Sequence, residues 1–440
     1  MKKRNIIFTA IILILIVIGG VVSVYLYLPY RNQQLQELAR QQQTAVAAYD
    51  GISYQNKMLG AVNLSRMDAA AITDALQKEI RPYQDCIATL QINHDTLTYS
   101  MKDLGQRIFY QCSDGSTFEA GEEKDLAEHI ISIDRDLPLE DQYDIIEGNT
   151  EATSLKISIQ CECQEDKLTK FIRTLSKKYD KAAKNSRINS SYRITPSRPG
   201  DVLDTETIAS ELRTYLDRQT TKNFSGAYRT SHVDPVWKED DLRKVNTLIA
   251  RYTTTFKDNS SRGYNIHLAA TRLNGICLLP GESISFLDTL YDKSDKKSYK
   301  KSGAYLDGEV VQAEGGGICQ VSTTAYHTFL LAGIIPEKRY PHSMPVGYAK
   351  LGLDAALSVG GKDLVVKNTL DVPILILSQS KSGTLAVAIQ SYKDALKGYT
   401  YKPRAERISD VEANSYLDVY KGKTKEKTIT LSHDVYQKLG

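Results

Sequence analysis

The sequence lacks the signatures of several large classes of protein. It has no GxxxxGK[ST] phosphate-binding loop and no HExxH zinc-peptidase motif. Cys161 and Cys163 form a closely spaced pair without a histidine nearby, so we expect no metal centre, and nothing indicates another cofactor. The 56 basic and 53 acidic residues give a net charge of only +3 without a basic stripe, which excludes nucleic acid as an expected partner.

Cysteines are also few, and their spacing does not indicate a disulfide framework. There are 6 in 440 residues. Cys161 and Cys163 share one face of a predicted strand, where a bridge between neighbours two residues apart has poor geometry. Cys86 and Cys112 are the one pair that we consider. Cys319 is therefore expected to carry an unpaired thiol.

A long apolar run at the N-terminus predicts a membrane anchor. Residues 6–28 are uncharged and follow Lys2, Lys3 and Arg4. At about 1.5 Å per residue, a helix of this length spans a hydrocarbon core of roughly 30 Å. The positive flank places the N-terminus inside and the rest of the chain outside. A cleaved signal peptide is the alternative, but the run ends without a small-x-small cleavage site.

Composition and periodicity divide the chain into five segments of an α+β protein. Residues 1–28 form a cytoplasmic tip and transmembrane anchor, and the glutamine-rich residues 29–60 form a stalk. Residues 61–225 alternate strands and helices, in a layout that resembles peptidoglycan-binding-like repeats; a structural spacer is the alternative. Residues 226–390 form a mixed α/β domain that carries the candidate site. Residues 391–440 form a C-terminal β extension.

Local patterns predict several individual elements. Alternating apolar residues indicate a strand over 154–163, and apolar residues at helical spacing indicate a helix over 167–179. Asp204 is expected to begin another helix. Residues 241–252 are also predicted to be helical. In the C-terminal extension, Lys421-Gly422-Lys423 is expected to form a hairpin turn.

The stretch Glu314-Gly315-Gly316-Gly317-Ile318-Cys319 places three glycines directly before a cysteine. Glycines reach backbone conformations that other residues avoid. A helix-like apolar run follows and ends at Gly333, so Cys319 is expected in the first turn of a helix. Unpaired N–H groups and the helix dipole favour a thiolate there, which is what a nucleophilic cysteine needs. A small buried cysteine behind a glycine turn is the alternative.

A nucleophilic cysteine also needs an imidazole within hydrogen-bond reach. Among the 7 histidines, His342 is the best placed, because two prolines stiffen the chain around it and the preceding segment can fold back towards Cys319. His327 lies eight residues after Cys319 on the same predicted helix, too far to touch it. His267 is the reserve candidate.

The residues around Cys319 closely resemble the signature of VanW-domain proteins. Further family motifs occur in the same order over roughly residues 240–380, as Ser261-Arg262-x-x-Asn265-Ile266, Leu273-Asn274-Gly275, Leu279-Pro280-Gly281-Glu282, Pro341-His342-Ser343 and Gly352-x-Asp354-Ala355. Leu353 stands where the family often has arginine. This departure removes a basic side chain that would contact substrate at this position. The Ser-His-Gly-Cys motif of the common cell-wall L,D-transpeptidases is absent.

The resemblance implies a peptidoglycan L,D-transpeptidase that forms 3–3 cross-links through a cysteine thioester. Cys319 would be the nucleophile, His342 the general base and then acid, and Asp354 the group that orients His342. Backbone N–H groups at Gly317, Ile318 and Gln320 would form the oxyanion hole. Substrate binding is expected at Arg262, Arg272 and Ser343.

Two other functions remain open at this point. The first is a non-catalytic peptidoglycan-binding or glycopeptide-resistance accessory protein, with Cys319 as a core residue. The second is a cysteine peptidase or carboxypeptidase that uses water as the acyl acceptor. The leading interpretation predicts peptidoglycan stem peptides and the cytoplasmic membrane as partners. It places the protein at the cell membrane as a single-pass protein, with its body at the cell wall.

Overall fold

The computed structural model describes residues 2–291, 298–306 and 309–438, and the chain forms two compact units. One unit comprises Met1–Asp180 and Asp201–Ser231, and the other comprises Lys181–Gly200 and His232–Gly440. The segment Lys181–Gly200 lies within the predicted 61–225 domain but packs with the second unit.

The chain begins with a single long helix, α1 (Lys2–Ala48), which continues through Pro29. Its side chains from residue 8 through the apolar half are exposed. Within the described part of the chain, α1 is the helix that is long and apolar enough to cross a membrane. The polar residues that follow the apolar run continue the same helix up to Ala48.

A five-stranded sheet and a three-stranded sheet, with helices packed on them, form most of the rest of the first unit. Its elements up to residue 180 are β1 (Lys57–Leu59), β2 (Val62–Asn63), α2 (Ala69–Gln84), β3 (Ile87–Ile92), β4 (Asp95–Ser100), α3 (Met101–Leu104), β5 (Gln106–Cys112), β6 (Thr117–Glu119), α4 (Glu123–Ser132), α5 (Leu139–Glu147), β7 (Leu155–Cys163) and α6 (Glu165–Tyr179). The chain then forms β8 (Arg187–Ile188) and β9 (Ile194–Thr195), which belong to the second unit. It continues through β10 (Gly200–Leu203), α7 (Thr205–Leu216), β11 (Phe224–Tyr228) and β12 (Thr230–Val233). The strand orders are β2-β1-β7-β5-β6 and β11-β3-β4.

Three sequence predictions for the first unit are confirmed. The alternating stretch forms β7, and the amphipathic stretch forms α6, which starts two residues earlier than expected. Asp204 caps α7, since its carboxylate accepts a hydrogen bond from the Thr207 N–H at 3.0 Å.

Cys86 and Cys112 are both free and lie in two different hydrophobic cores, so they do not pair.

The second unit is built on a four-stranded antiparallel sheet. Its elements after residue 234 are α8 (Glu239–Arg243), β13 (Thr247–Thr255), α9 (Ser261–Leu273), β14 (Ile276–Leu278), β15 (Ser283–Ser285), α10 (Phe286–Leu290), β16 (Lys301–Leu306), β17 (Glu309–Glu314), α11 (Ile318–Leu331), β18 (Val365–Lys367), β19 (Ile374–Lys381), β20 (Thr384–Ser391), β21 (Tyr399–Ser409), β22 (Glu412–Lys421) and β23 (Thr424–Val435). The main sheet has the order β13-β20-β19-β14, and β21, β22 and β23 form a second antiparallel sheet. The hairpin turn at 421–423 is confirmed between β22 and β23.

The helix predicted over 241–252 is wrong. Only Glu239–Arg243 is helical, and Thr247–Thr255 is strand β13, which pairs antiparallel with β20. Strand β13 contains four threonines in its nine residues. Threonine is β-branched, and β-branched residues fit a pleated sheet better than a helix. Burial alternates along the strand, since Ala250 and Thr254 are buried whereas Arg251 and Thr253 between them are exposed.

Helix α11 is the centre of the second unit, because it is buried on almost every side. It packs against α9 and against strands of both sheets. A helix with no solvent face must satisfy its polar side chains internally. The hydroxyl of Ser322 donates to the Ala355 carbonyl at 2.7 Å, and Thr324 and Thr254 share a hydrogen bond at 2.9 Å. The predicted stop at Gly333 is confirmed, with the helix ending at Leu331 and Gly333 at φ +74°.

Candidate active site

Three consecutive glycines shape the turn that leads into α11, two because of their backbone conformation and one because of close packing. Gly315 and Gly317 have φ angles of +85° and +109°, which side chains rarely adopt. Gly316 has no space for a side chain, since an added Cβ would lie 2.3 Å from Ser302 Oγ. The turn therefore places Cys319 as the second residue of α11, half-buried at the helix N-terminus.

The backbone donors at this turn differ from those expected. The N–H of Ile318 donates to the Gly315 carbonyl at 3.0 Å, and that of Gln320 donates to the Gly317 carbonyl at 3.0 Å. Both groups are used within the tight first turn, so neither is available to an oxyanion. Within the described part of the chain, the N–H groups of Gly317 and Cys319 donate no hydrogen bond. Of the three residues predicted to form an oxyanion hole, Gly317 thus has an N–H group that is not already bonded within the turn, and Cys319 beside it has another.

His342 is held by Asp354 in the segment that follows α11. Both side chains are buried, with relative exposures of 7% and 1%. Asp354 Oδ2 accepts hydrogen bonds from the His342 backbone N–H at 2.7 Å and from Nδ1 at 2.5 Å. Since Nδ1 is occupied, Nε2 is the ring nitrogen free for chemistry.

The second oxygen of Asp354 is held by residues that the sequence did not indicate. Arg339 Nη2 donates to Oδ1 at 3.0 Å, and the Tyr436 hydroxyl donates to the same atom at 2.5 Å. Arg339 also pairs with the buried carboxylate of Asp434. Tyr436 and Asp434 lie more than a hundred residues beyond Cys319 in the sequence, and no local pattern marks them as site residues.

The sulfur of Cys319 lies among polar groups from two other segments. The Leu357 N–H donates to Sγ at 3.4 Å. The hydroxyl of Tyr348 lies 3.3 Å from His342 Nε2. Tyr348 is a further residue that sequence reasoning missed, although it lies only six positions after His342. A thiol, an imidazole and a phenol therefore meet at the N-terminus of α11.

Opposing effects set the protonation of Cys319 and His342. Burial by itself would raise the pKa of the Cys319 thiol, but His342, the Leu357 N–H and Arg262 together lower it below its ordinary value. Burial would likewise lower the pKa of His342, yet its hydrogen bond to Asp354 and the nearby sulfur raise it to about 9. Both shifts therefore favour a thiolate beside an imidazolium.

Cys319 and His342 open onto a cavity of about 550 Å³. Its lining residues are Arg262, Tyr291, Gly303, Glu314, Gly315, Gly316, Gly317, Cys319, His342, Ser343, Gly347, Tyr348, Ala356, Leu357, Ser358, Lys362 and Gln437. Two of the three predicted substrate-binding residues, Arg262 and Ser343, thus lie at the cavity. Gln320, buried beneath, accepts a hydrogen bond from Arg262 Nη2 at 3.0 Å.

Arg272, the third predicted substrate-binding residue, does not line this cavity. Its Nη1 donates to the Leu290 carbonyl at 2.6 Å, and its guanidinium lies over the Tyr299 ring. Arg262 and Arg272 are ten residues apart on α9, which is about 15 Å along a helix axis. The side chain of Arg262 therefore lies at the cavity, whereas that of Arg272 packs against Leu290 and Tyr299.

The other candidate histidines lie elsewhere. His267 contacts Ser380 Oγ at 2.5 Å and Asp258 Oδ1 at 3.0 Å, and it does not line the cavity. His327 stacks on Tyr252 inside the core, where burial lowers its pKa to about 4. The geometry thus brings His342, and not the reserve candidate, to Cys319.

Cys319 differs chemically from the five other cysteines, all of which are free. Burial raises the pKa of each of the others, namely Cys86, Cys112, Cys161, Cys163 and Cys277. For Cys161 and Cys163 the pKa rises to about 11. Among the described residues, no group of three or more His, Cys, Asp or Glu side chains is arranged to hold a metal ion.

Comparison with known families matches two parts of the chain. Residues 261–390 match the family described as "VanW like protein", and this range contains Cys319, His342 and Asp354. Residues 119–224 match the family described as "Putative peptidoglycan binding domain". The layout-based resemblance of the first unit is thus supported by an independent match.

Two relatives are similar in sequence to parts of this chain. The uncharacterized protein YoaR of Bacillus subtilis (strain 168) is 29% identical over 228 residues, which cover 51% of this chain and 75% of YoaR. The Vancomycin B-type resistance protein VanW of Enterococcus faecalis (strain ATCC 700802 / V583) is 32% identical over 113 residues, or 24% of this chain and 41% of that protein. No solved structure matches the chain.

Proposed function

We propose that this chain, which belongs to the VanW family, is a cysteine-dependent peptidoglycan L,D-transpeptidase that forms 3–3 cross-links. The observation that carries the proposal is the hydrogen-bonded series Asp354–His342 beside a Cys319 thiol of lowered pKa, at the mouth of one cavity. A nucleophile, a base and a group that orients the base are the parts that acyl transfer through a covalent intermediate requires.

The first half-reaction forms a thioester. The thiolate of Cys319 attacks the carbonyl of residue 3 in a stem tetrapeptide, and the resulting oxyanion accepts hydrogen bonds from the Gly317 and Cys319 N–H groups. The Tyr348 hydroxyl, which stays protonated because its pKa is raised, is a further donor beside the reacting atoms. His342 Nε2 gives its proton to the departing D-alanine amine, and the C–N bond breaks.

The second half-reaction restores the enzyme. The side-chain amine of a neighbouring stem attacks the thioester, and His342, now neutral, takes a proton from that amine. The C–S bond breaks, an amide bond forms, and the thiolate and imidazolium are regenerated. Asp354 stays ionised throughout, because burial would raise its pKa but His342, Arg339 and Tyr436 hold it below the ordinary value.

Arg262 provides a site for the negative charge of the donor peptide. Within the described residues, Gln320 is the one hydrogen-bond partner of its guanidinium, so most of its donors remain open to the cavity. A guanidinium binds a carboxylate with two parallel hydrogen bonds. Ser343 and Lys362 line the same cavity and add polar contacts.

The remaining parts of the chain support a location at the cell wall. Helix α1 would anchor the protein in the cytoplasmic membrane as a single-pass helix, with the body outside. Residues 119–224 would bind peptidoglycan and hold the substrate near the enzyme.

In vitro cross-linking of tetrapeptide muropeptides tests the proposal. The wild-type protein is expected to release D-alanine and form 3–3 dimers, and Cys319→Ala is expected to do neither. Dimer formation by Cys319→Ala at the wild-type rate would refute the proposal. Release of D-alanine without dimers, in the presence of an acceptor stem, would instead indicate a carboxypeptidase.

The name of the E. faecalis relative favours one other candidate, a non-catalytic accessory protein in glycopeptide resistance. That function requires no reactive thiol. Mass spectrometry after incubation with a carbapenem separates the two candidates, because an acyl-enzyme adds the mass of the drug to Cys319. An unmodified Cys319 together with tight binding to purified peptidoglycan would favour the accessory function.

A further inference from the structure

We propose that the end of β23 supplies positioning residues to the catalytic centre, with Tyr436 holding the Asp354 carboxylate against His342; this inference rests on the proposed function. The residues concerned lie outside the range 261–390 that matches the VanW family. From the sequence, this region is expected to be only a β extension.

Alternate residues at the end of β23 and directly after it contact the same two side chains, Arg339 and Asp354. Ser432 Oγ accepts a hydrogen bond from Arg339 Nη1 at 3.2 Å, Asp434 pairs with the same guanidinium, and Tyr436 donates to Asp354 Oδ1 at 2.5 Å. Asp434 and Tyr436 are 5% and 4% exposed, whereas His433 and Val435 between and beside them are exposed. This is the alternation of a strand with one buried face.

The contacts of Tyr436 fix its hydroxyl in direction as well as position. The Gly352 N–H donates to Tyr436 Oη at 2.8 Å, so the hydroxyl hydrogen is directed to Asp354. The Tyr436 N–H donates to the Val411 carbonyl at 2.7 Å, which secures the backbone. Burial and Asp354 raise the pKa of Tyr436, so it remains a donor at neutral pH.

With Oδ1 held by Arg339 and Tyr436, the Asp354 carboxylate cannot rotate about its last bond. Oδ2 is thereby kept in line with both N–H groups of His342. Removing the Tyr436 hydroxyl leaves one donor on Oδ1 and an unpaired Gly352 N–H. We expect the carboxylate to loosen its contact with Nδ1, which weakens the stabilisation of the imidazolium.

Several other charged and titratable groups face Asp354 or lie close to it. They are Arg339, Asp434, Tyr326, His327 and Tyr348, with Lys350 near His327. Burial raises the pKa of Tyr326 to about 12 and lowers that of His327 to about 4, so both are neutral there. A change in the alkaline pH dependence therefore reports on the pair of His342 and Cys319.

The test compares Tyr436→Phe with Tyr401→Phe in the full-length protein. Tyr401 is the control, because it is a tyrosine of the same C-terminal sheet that packs against the core around α11, whereas the hydroxyl that holds the Asp354 carboxylate belongs to Tyr436. The first measurement is the pH dependence of Cys319 alkylation by iodoacetamide, read by intact mass. For Tyr436→Phe we expect the alkaline limb to move to lower pH, and for Tyr401→Phe we expect the wild-type profile.

The second measurement is the rate of 3–3 dimer formation. Tyr436→Phe is expected to lower kcat by about tenfold with KM unchanged, since it disturbs the base and not the substrate contacts. An alkylation profile and kcat equal to the wild-type values would overturn the inference, provided that the variant is folded by circular dichroism. If the wild-type protein forms no dimers but the alkylation profile still shifts, the proposed function fails and the positioning role stands.

Discussion

His342 gives two hydrogen bonds to a single oxygen of Asp354, one from its backbone N–H at 2.7 Å and one from Nδ1 at 2.5 Å. The carboxylate thus fixes the loop and the ring together. The opposite oxygen receives donors from Arg339 and Tyr436, so every acceptor direction of this buried group is used. A change at Asp354 therefore affects the orientation of the imidazole directly.

Asp354→Asn is expected to lower kcat/KM by roughly 10²–10⁴-fold in dimer formation. An amide has one oxygen and one NH₂ group, so one side must place a donor against the donors of Arg339 and Tyr436 or against those of His342. The control is Asp371→Asn, whose carboxylate is exposed and pairs with Lys397 at the surface. Equal activity of the two variants would contradict the role of Asp354.

The acylation rate is expected to have a bell-shaped dependence on pH. The thiolate forms above the lowered pKa of Cys319, and the imidazolium is lost as pH rises through the pKa of about 9 of His342. The pair is therefore populated between these values, and activity falls on both sides. Stopped-flow acylation by a carbapenem over a pH series measures both limbs. A single rise that continues through alkaline pH would show that no imidazolium is required.

Tyr348→Phe is expected to slow acylation by roughly 10²-fold, which is the effect of losing one oxyanion donor. The phenol lies 3.3 Å from Nε2, so its loss should also narrow the pH window in which the thiolate and imidazolium coexist. Tyr340→Phe is the control, because Tyr340 is exposed and does not line the cavity. An unchanged acylation rate in Tyr348→Phe would remove this residue from the mechanism.

Arg262→Gln is expected to raise KM for the donor tetrapeptide by about tenfold or more, which corresponds to a charge-assisted hydrogen bond. A donor peptide with a C-terminal amide should bind weakly to the wild-type protein and equally weakly to Arg262→Gln. Such a double-mutant cycle isolates the contact between the guanidinium and the carboxylate. Arg272→Gln should leave KM unchanged, as Arg272 does not line the cavity. Additive effects of the variant and the amide would show that Arg262 does not bind this carboxylate.

Gly316→Ala is expected to destabilise the second unit by about 1–3 kcal/mol, because the new methyl group would overpack the turn. Its Cβ would lie 2.3 Å from Ser302 Oγ and 2.6 Å from the Gly303 carbonyl oxygen, and the latter cannot move freely. Gly347→Ala is the matched control at the same cavity, where an added Cβ meets nothing within 4 Å. Thermal unfolding measures the difference. Equal melting temperatures would contradict the steric account.

The sequence was informative about the site where the chemistry depends on short segments. The three glycines and the helix after them determine the place of Cys319, and the proline-flanked His342 follows within one loop. Arg339, Asp434 and Tyr436 could not be predicted, because their roles arise when β23 packs beside Asp354. The same holds for Ile318 and Gln320, whose N–H groups close the tight first turn of α11.

The fold, like the site, could be predicted from the sequence in some segments and not in others. Segments with strong periodicity, such as β7 and α6, were predicted close to their observed bounds. Residues 247–252 carry apolar side chains that also fit a helical face, and only pairing with β20 determines that they form a strand. Long-range pairing of this kind is not encoded in a local pattern.

The contrast between one thiol of lowered pKa and five other free thiols of raised pKa has a practical consequence for studies in living cells. A fluorescent electrophile supplied at neutral pH should mark a single position on the native chain, without a cysteine-depleted background. Loss of the label on drug treatment would then measure target occupancy directly.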